Sequence, residues 1–249
     1  MNIHSKYRYY KSSDMCNRLE VKSIQASQEL SELRLKPRLN DVDYLVYKER
    51  TRILEEWFAR IEDNSLLVLD VGGRIQPYRR LLDGKIEQYV ALDLQLEGLV
   101  NVLATVELLP FVDNSFDVVF CFQVLHYVPN PELAVKEMHR VLRPRGRLFL
   151  STPSLFPEFH DHLWRFLPGG LRYLTRCFSA VEIQAEGFSG AGLLRAINST
   201  LHTDIDKYWV LRLAQRTSVP LLNLLGLLLD RISAPNTRST ANYTLMAIK

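Results

Sequence analysis

Cysteine is scarce in this sequence. Its 249 residues include three cysteines, Cys16, Cys121 and Cys177, which lie far apart along the chain. A disulfide framework needs paired cysteines and a structural zinc site needs closely spaced ones, so the spacing excludes both. The scarcity favours a reducing compartment, and we expect a cytoplasmic protein.

Long hydrophobic runs are also missing. The longest, at 219–229, is interrupted by Asn223 and Gly226. At about 1.5 Å of rise per residue, such a helix is too short to cross a bilayer core of roughly 30 Å. No apolar stretch that could serve as a signal peptide follows residues 1–11. We expect no transmembrane helix and a buried helix at 219–229, with peripheral contact to a membrane or a protein as the alternative.

Charge of one sign is not in large excess. Lys and Arg number 31 against 28 Asp and Glu, and the formal net charge of +3 is too small to indicate a nucleic-acid partner. Hydrophobic residues make up 47% of the chain and charged residues 24%, which excludes a disordered or collagen-like protein. The length suits one large α/β domain with additions or two small domains.

Changes in hydrophobic period indicate the elements of the fold. Helical spacing predicts an amphipathic helix over 41–60 and a weaker helix over 14–35. Short apolar runs typical of buried strands recur at 65–73, 88–94, 100–104, 116–122, 147–151, 178–185 and 243–248. Their alternation with helical stretches predicts a mainly parallel sheet with helices on both faces.

The remaining segments complete the predicted organisation. Asn130 and Pro131 predict the start of a helix, supported by Glu132 and Lys136 at i, i+4. Irregular, aromatic-rich sequence predicts a lid over 154–177, and helical spacing predicts an insertion over 189–238. We divide the chain into an N-terminal arm and helix at 1–40 and a main domain at 41–249, with its core at 65–153.

A glycine loop follows the first predicted strand. Asp70 ends that strand, and Gly72 and Gly73 let the backbone turn sharply and approach a ligand. Arg74 and Pro77 stand where a dinucleotide fingerprint has glycines, and no P-loop lysine follows. Ligands of open α/β sheets bind beyond the carboxyl ends of the strands, so this loop is a candidate binding element.

A second acid ends the second predicted strand. Asp93 lies 23 residues after Asp70, which is the separation typical of a carboxylate that binds the two hydroxyls of a nucleoside ribose. The alternative is that Asp93 caps the turn that follows it.

Six blocks of sequence follow one another in a recognisable order. They are DVGG at 70–73, YVALD at 89–93, ELLPF at 107–111, NSFDVV at 114–119, QVLHYVP at 123–129 and EMHRVLRPRG at 137–146. Together they resemble the class I S-adenosylmethionine-dependent methyltransferases, and most closely their broad small-molecule methyltransferase-domain group. The resemblance covers 66–153 closely and the closing strand more loosely.

The resemblance implies a fold, a cofactor and an activity. The fold is a Rossmann-like sheet of seven mostly parallel strands, whose last strand, 243–248, runs antiparallel beside 147–151. The cofactor is S-adenosylmethionine, and the reaction is methyl transfer to a small-molecule, glycan or lipid-linked acceptor by in-line displacement.

The resemblance also implies the cofactor-binding residues. Asp70, Gly72 and Gly73 hold the methionine portion, and Asp93 holds the ribose. Residues Thr105, Val106 and Glu107 lie beside the adenine, and Gln123 lines the methionine end. Three of these residues, besides Asp93, have a structural alternative: Thr105 and Val106 could end a strand, and Gln123 could cap a helix.

Two departures from the family pattern bear on activity. Arg74 replaces a usual glycine, and Thr105 replaces a usual acid beside the adenine. We expect the Arg74 side chain to point outward or to pair with an acid, because its long stem can swing away. The alternative is that its guanidinium holds the cofactor carboxylate. If the departures abolish binding, the chain is a non-catalytic scaffold.

No general base is assigned from the sequence. His126, His160, Asp161 and His162 are the candidates in suitable segments, and they provide no third ligand that would indicate a metal site. Trp164, Arg165 and Phe166 could form a wall of the acceptor pocket or anchor a loop on the sheet.

Overall fold

The computed structural model describes residues 13–154, 162–205, 209–232 and 235–249, so His160 and Asp161 lie outside it. The helices are α1 (Ser13–Leu35), α2 (Tyr44–Ala59), α3 (Pro131–Val141), α4 (Pro168–Leu174), α5 (Ser189–Ile205) and α6 (Trp209–Ile232). The strands are β1 (Leu66–Val71), β2 (Ile86–Asp93), β3 (Val102–Leu103), β4 (Phe116–Phe122), β5 (Leu142–Pro153), β6 (Ala180–Ala185) and β7 (Asn242–Ile248). Short 3-10 turns span Arg79–Leu82 and Leu125–Tyr127.

All seven strands form one sheet in the order β3-β2-β1-β4-β5-β7-β6. Strands β1 to β5 pair in parallel, and β7 lies antiparallel between β5 and β6. Arg147 of β5 pairs with Ile248 of β7, and Pro153 pairs with Asn242. The structure therefore confirms the mostly parallel seven-stranded sheet and the position of its last strand.

The first face of the sheet is covered by α2. Successive strand residues point to opposite faces, which places Phe120 and Phe149 on the same side. Phe58 of α2 stacks on Phe120 at a ring-centroid distance of 5.5 Å and meets Phe149 edge-on at 4.8 Å. Trp57 is fully buried in the same cluster. The predicted helix over 41–60 is thus confirmed, and its apolar stripe explains where it packs.

The opposite face is covered by α3. The Asn130 side chain accepts a hydrogen bond from the Leu133 amide at 3.0 Å, Pro131 occupies the first turn, and Lys136 lies 3.3 Å from Glu132. These contacts confirm the predicted start of the helix. The helix buries Pro131, Ala134, Val135, Met138 and Val141 against the sheet.

Some predicted boundaries need correction. The described residues of the helical insertion predicted over 189–238 form two helices, and α6 ends at Ile232. The Asn236 carbonyl then accepts hydrogen bonds from the amide and hydroxyl of Ser189 at 2.7 and 2.8 Å, which turns the chain back to the start of α5. The third strand is also shorter than the predicted 100–104.

The expectation of a buried helix at 219–229 is wrong in part. One face of α6 is buried, but that face carries Val219, Asn223 and Gly226. Five large aliphatic residues of α6 are exposed, namely Leu221, Leu224, Leu225, Leu228 and Ile232. The Asn223 side chain donates to the carbonyls of Leu39 and Asp41 at 2.8 and 2.9 Å, so a polar residue fixes α6 to the body of the protein.

None of the helices in the described ranges is long and apolar enough to span a membrane.

Candidate active site

The strand order reverses between β1 and β4, because β2 and β3 continue to one side of β1 and β5 continues beyond β4. Crevices at such a switch point are the usual ligand sites of open α/β sheets. The loop after β1 meets the loop after β4 here: a Cβ added to Gly72 would lie 2.3 Å from Val124 Cγ2. Gly72 also has a φ of +77°, so both the close approach and the backbone require glycine.

The second glycine of the loop is equally confined. A Cβ on Gly73 would lie 2.8 Å from the Asp70 carbonyl oxygen and 2.9 Å from Ala91 Cβ. The amides of Gly72 and Gly73 both donate to the Leu92 carbonyl, at 2.7 and 3.2 Å. These bonds hold the loop against the end of β2.

Asp70 lies in the floor of the crevice with a buried carboxyl group. The Tyr89 hydroxyl donates to Asp70 Oδ2 at 2.6 Å, and the Arg79 guanidinium lies 4.7 Å from the Tyr89 ring centroid. Burial raises the pKa of Asp70 to about 7; the charge of Asp93 adds to the rise, while Tyr89 and Arg79 oppose it. Near neutral pH this carboxyl can take either protonation state.

Asp93 ends β2 next to this floor and is half-buried. Its Oδ1 accepts a hydrogen bond from the Leu94 amide at 2.7 Å. The capping alternative therefore accounts for one carboxylate oxygen of Asp93. Its assignment to a ribose stays a prediction.

Of the three residues predicted beside the adenine, one is buried in the core and two accept hydrogen bonds in turns. Val106 is buried in the core beneath the sheet edge, and Thr105 Oγ1 accepts from the Glu107 amide at 3.3 Å. Glu107 Oε1 accepts from the Asn130 amide at 2.8 Å, so this carboxylate fixes the turn before α3. Thr105 thus shapes the turn after β3, which sequence reasoning had left open.

Arg74 behaves as the sequence predicts. Its side chain is half exposed, and Nη1 lies 3.3 Å from Glu97 Oε2. The expectation that Arg74 pairs with an acid is confirmed.

Replacing Arg74 by glycine is expected to leave the affinity for S-adenosylmethionine similar or tighter. The Arg74–Glu97 pair is solvent-exposed, and such pairs contribute about 1 kcal/mol or less to stability. Isothermal titration calorimetry on Arg74→Gly and Arg74→Lys checks this. A large loss of affinity in both variants would show that the guanidinium holds the cofactor instead.

Gln123 follows β4 in a conformation that few non-glycine residues adopt. Its φ is +59°, its amide donates to the Ser151 carbonyl at 2.9 Å, and its Nε2 donates to Ser151 Oγ at 3.1 Å. The side chain does not cap the 3-10 turn Leu125–Tyr127, so the capping alternative is wrong. Backbone strain of this kind is concentrated at functional sites, and nothing in the sequence indicated it.

A cluster of polar rings lies beyond Gln123. Arg165 Nη1 lies 2.6 Å from His162 Nδ1, and His162 Nε2 lies 2.8 Å from the Tyr127 hydroxyl. A guanidinium can only donate, so Nδ1 accepts and the Nε2–H group donates to the Tyr127 oxygen. The Tyr127 proton is therefore free to point toward another acceptor. Sequence reasoning named His162 but missed Tyr127, because tyrosine hydroxyls carry no spacing signal.

His126 packs against the same cluster and is 2% exposed. Its ring centroid lies 4.2 Å from that of Tyr127 and 4.3 Å from that of His162. Burial, together with His162, Arg165 and Arg50, lowers the pKa of His126 to about 3, so the ring is neutral at physiological pH. Within the residues that the structure covers, its Nδ1 has no hydrogen-bond partner.

Residues 163–166 are anchored on the body of the protein. Trp164 Nε1 donates to the Val128 carbonyl at 2.9 Å, and the amides of Leu163 and Trp164 donate to the His126 carbonyl. Phe166 is buried. Of the two interpretations of 164–166, the loop anchored on the sheet is the one observed. Among the residues described here, no group of His, Cys, Asp and Glu could hold a metal ion.

A buried ion pair supports the site from α2. Arg50 Nε and Nη2 lie 2.7 and 2.8 Å from the two carboxylate oxygens of Glu186. Thr244 donates to the same carboxylate, and Arg50 Nη1 lies 3.4 Å from the Tyr78 hydroxyl. Burial opposes the charge of Arg50, but Glu186 keeps its pKa above the usual value. Sequence reasoning missed this pair, although an arginine within the apolar stripe of α2 was the available signal.

Comparison with known proteins relates the core to one family. Residues 69–150 match the sequence profile of the family described as methyltransferase domain. The sheet has the seven mostly parallel strands and the antiparallel last strand that the resemblance implied.

Curated relatives of the methyltransferase domain have related names. An uncharacterized methyltransferase of Schizosaccharomyces pombe is 28% identical over 173 residues, which is 64% of this chain and 65% of that protein. A ubiquinone biosynthesis O-methyltransferase of Xanthomonas oryzae is 27% identical over 140 residues, covering 53% of this chain and 55% of that protein. The chain thus spans less than two thirds of the length of these relatives.

Solved structures share the fold at low identity. A methyltransferase of Archaeoglobus fulgidus described as SAM-dependent superposes with a TM-score of 0.52 at 15% identity and covers 89% of this chain and 99% of its own. The [4+2]-cyclase SpnF has a TM-score of 0.52 at 18% identity and covers 82% of each chain. At these identities the likeness shows the fold alone.

Proposed function

We propose that this protein transfers a methyl group from S-adenosylmethionine to a small-molecule, glycan or lipid-linked acceptor by in-line displacement. The observation that carries the proposal is the convergence of Asp70, the two glycines, Asp93 and Gln123 at the switch point of a methyltransferase domain. One protein of the same fold is a cyclase, so the fold by itself does not determine the reaction. The O-methyltransferase relatives support methyl transfer.

The residues present fit this cofactor. Its methionine end is cationic and its ribose carries two hydroxyls, so it needs carboxylates at two points. Asp70 and Asp93 supply them near the ends of adjacent strands, and the loop beside Asp70 is so tightly packed that a Cβ at Gly73 would lie 2.9 Å from the Asp70 carboxyl carbon. We assign the methionine end to Asp70, Gly72, Gly73 and Gln123, the ribose to Asp93, and the adenine to Thr105 and Val106. Glu107 supports the adenine wall through its hydrogen bond to Asn130.

When bound, S-adenosylmethionine supplies an electrophilic methyl group on a positively charged sulfur. The task of the protein is then to align an acceptor with that carbon, and proximity provides most of the acceleration. Tyr127 can donate its hydroxyl proton to an acceptor oxygen, because His162 supplies a hydrogen bond to the Tyr127 oxygen. His126, with a pKa of about 3, is too weak a base to remove a proton at neutral pH and suits a hydrogen-bonding role.

Two properties of the whole chain accompany this proposal. The scarcity of cysteine supports a cytoplasmic location, and the small net charge supports the absence of a nucleic-acid partner.

The direct test combines binding with turnover. S-adenosylmethionine binds the folded state, so a titration is expected to raise the midpoint of thermal unfolding. Formation of S-adenosylhomocysteine is then measured with separate panels of small-molecule, glycan and lipid-linked acceptors. A chain that neither shifts its unfolding midpoint nor forms this product is the non-catalytic scaffold.

Replacing Asp93 by alanine is expected to weaken cofactor binding at least tenfold. The change removes charge-assisted hydrogen bonds to the ribose, each contributing about 1.5 to 3 kcal/mol before relaxation. Calorimetric affinity is compared with that of Asp63→Ala, which removes an exposed acid outside the site. If Asp93→Ala folds and binds as tightly as Asp63→Ala does, Asp93 is a turn residue only.

A further inference from the structure

The helical hairpin α5–α6 presents apolar side chains to solvent on both of its helices. On α5 these are Leu193, Ile197 and Leu201; on α6 they are Leu221, Leu224, Leu225, Leu228 and Ile232. Their exposed fractions lie between 38% and 69%. The spacing along α6 follows i, i+3, i+4, i+7 and i+11, which places them on one side of the helix. We call this set the hairpin face.

In α6 the polar side chain of Asn223 faces the protein core and the leucines of the hairpin face are exposed to solvent, which is the reverse of the usual arrangement. Asn223, on the buried side, is held by Asn198 at 3.1 Å and by backbone carbonyls before α2. Gly226 lies so close to α2 that an added Cβ would be 2.8 Å from Leu45 Cδ1. Since these contacts fix the orientation of the helix, the leucines cannot turn inward. Contiguous exposed apolar residues of this kind mark an interaction surface.

The charge of residues 189–238 indicates what kind of partner binds the hairpin face. Residues 189–238 contain six basic residues, Arg195, Lys207, Arg212, Arg216, Arg231 and Arg238, against three acids, Asp204, Asp206 and Asp230. This excess equals the formal net charge of the whole chain, which is +3. Asp230 faces inward, where it accepts from the amides of Phe188 and Ala191 at 2.8 and 2.9 Å. Arg195 is ion-paired with Asp43, whereas Arg231, which borders the hairpin face, and Arg238 are exposed.

We propose that the hairpin face docks on the surface of a bilayer that contains anionic lipids. An apolar helix face flanked by arginines lies in the plane of the interface, with its leucines among the acyl chains and its guanidinium groups at the lipid phosphates. A second copy of the chain fits less well, because it would bring two basic segments together. The helices need not span the bilayer for this binding.

The position of the hairpin links the docking surface to the crevice. β6 is antiparallel to β7, which is antiparallel to β5, so β6 runs in the same direction as β1 and β4. The hairpin therefore leaves the sheet at the edge that carries the candidate active site. Docking would present this edge to the interface, which favours a lipid-linked acceptor; this consequence rests on the proposed function, whereas the docking itself does not.

Vesicle co-flotation of the full chain tests the docking without cofactor or acceptor. One set of vesicles is phosphatidylcholine alone, and the other contains equal amounts of phosphatidylcholine and phosphatidylglycerol. We expect binding to the mixed vesicles that weakens as salt is added and is several-fold weaker on phosphatidylcholine. Recovery of the chain away from both kinds of vesicle would overturn the proposal.

Matched variants identify the surface. Combining Leu221→Gln, Leu224→Gln and Leu228→Gln is expected to lower partitioning onto mixed vesicles at least tenfold. The control combines Leu103→Gln, Val112→Gln and Leu133→Gln, which are also exposed but lie outside the hairpin, and is expected to bind as the native chain does. Combining Arg231→Gln and Arg238→Gln is expected to weaken the preference for anionic vesicles.

Two further outcomes test which surface docks and what occupies it. Equal losses in the hairpin and control variants would overturn the assignment of the surface. A hairpin variant that binds vesicles normally but changes from dimer to monomer in size-exclusion chromatography with light scattering would identify a second copy as the occupant. Thermal unfolding of each variant verifies its fold. Because no turnover is measured, failure of docking and failure of methyl transfer are separate results.

Discussion

Replacing Glu186 by alanine is expected to lower the free energy of unfolding by about 3 to 5 kcal/mol. Both members of the Arg50–Glu186 pair are buried, with side-chain exposures of 2% and 0%. Removing the carboxylate leaves a guanidinium without its counter-charge between the rings of Tyr47 and Tyr78. Thr244 loses its hydrogen-bond acceptor at the same time.

Chemical denaturation of three variants checks this expectation. The double variant Arg50→Met with Glu186→Leu removes both charges and is expected to recover most of the loss, because a buried pair contributes little beyond a well-packed apolar one. The control, Asp63→Ala, breaks the exposed contact between Arg147 and Asp63 and is expected to cost under about 1 kcal/mol. A Glu186→Ala variant as stable as the control would contradict the buried character of the pair.

The affinity for S-adenosylmethionine is expected to rise with pH up to about 7 and to level off above it. The pKa of Asp70 is raised to about 7 in the cofactor-free protein, chiefly by burial. Only the ionised carboxylate attracts the cationic methionine end, so each pH unit below that pKa costs about a factor of ten in affinity. Between pH 5 and pH 8 the change is therefore roughly a hundredfold. Calorimetry across this range measures it.

Two variants isolate the contribution of Asp70. Asp70→Asn is expected to bind more weakly at pH 8 and to lose the pH dependence. Asp93→Ala is expected to keep the dependence with its midpoint at lower pH, since the charge of Asp93 raises the pKa of Asp70. A pH profile that is unchanged in Asp70→Asn would assign the titration to another group.

The raised pKa of Asp70 also makes the stability of the fold depend on pH. Because the pKa of Asp70 is higher in the folded chain than its ordinary value, this group favours folding at low pH, and that stability is lost as pH rises through about 7. Asp70→Asn lacks this loss. It is expected to be at least as stable as the native chain at pH 8, as measured by chemical denaturation.

The fold was largely predictable because its signals are local. Short apolar runs such as 116–122 and the helical stripe of 41–60 each depend on neighbouring residues, and both were confirmed. The candidate site was predictable to the extent that it follows strand ends, where Asp70 and Gly72 lie. The confinement of Gly72 by Val124 was not, because that contact depends on how two loops meet after β1 and β4 pair.

Other features were invisible for the same reason. Arg50 and Glu186 are 136 residues apart, and nothing in the sequence pairs them. We expected the run at 219–229 to be buried because leucine side chains are most often buried in folded proteins. The structure shows instead that Asn223 makes the inward contacts of α6. Which face of an amphipathic helix is buried thus depends on which of its polar groups find hydrogen-bond partners, and composition alone does not reveal it.

The position of β7 has a consequence for how the chain reaches its native state. Residues 242–248 form an interior strand, with β5 on one side and β6 on the other. Until that segment is available, the backbone amides and carbonyls of both neighbours remain unpaired along facing edges, and these edges can recruit other chains. The nascent protein therefore passes through a stage in which its sheet is split, and closing that gap requires contacts between distant parts of the sequence, which form slowly. We expect chaperone dependence and aggregation during synthesis to be governed by this last insertion.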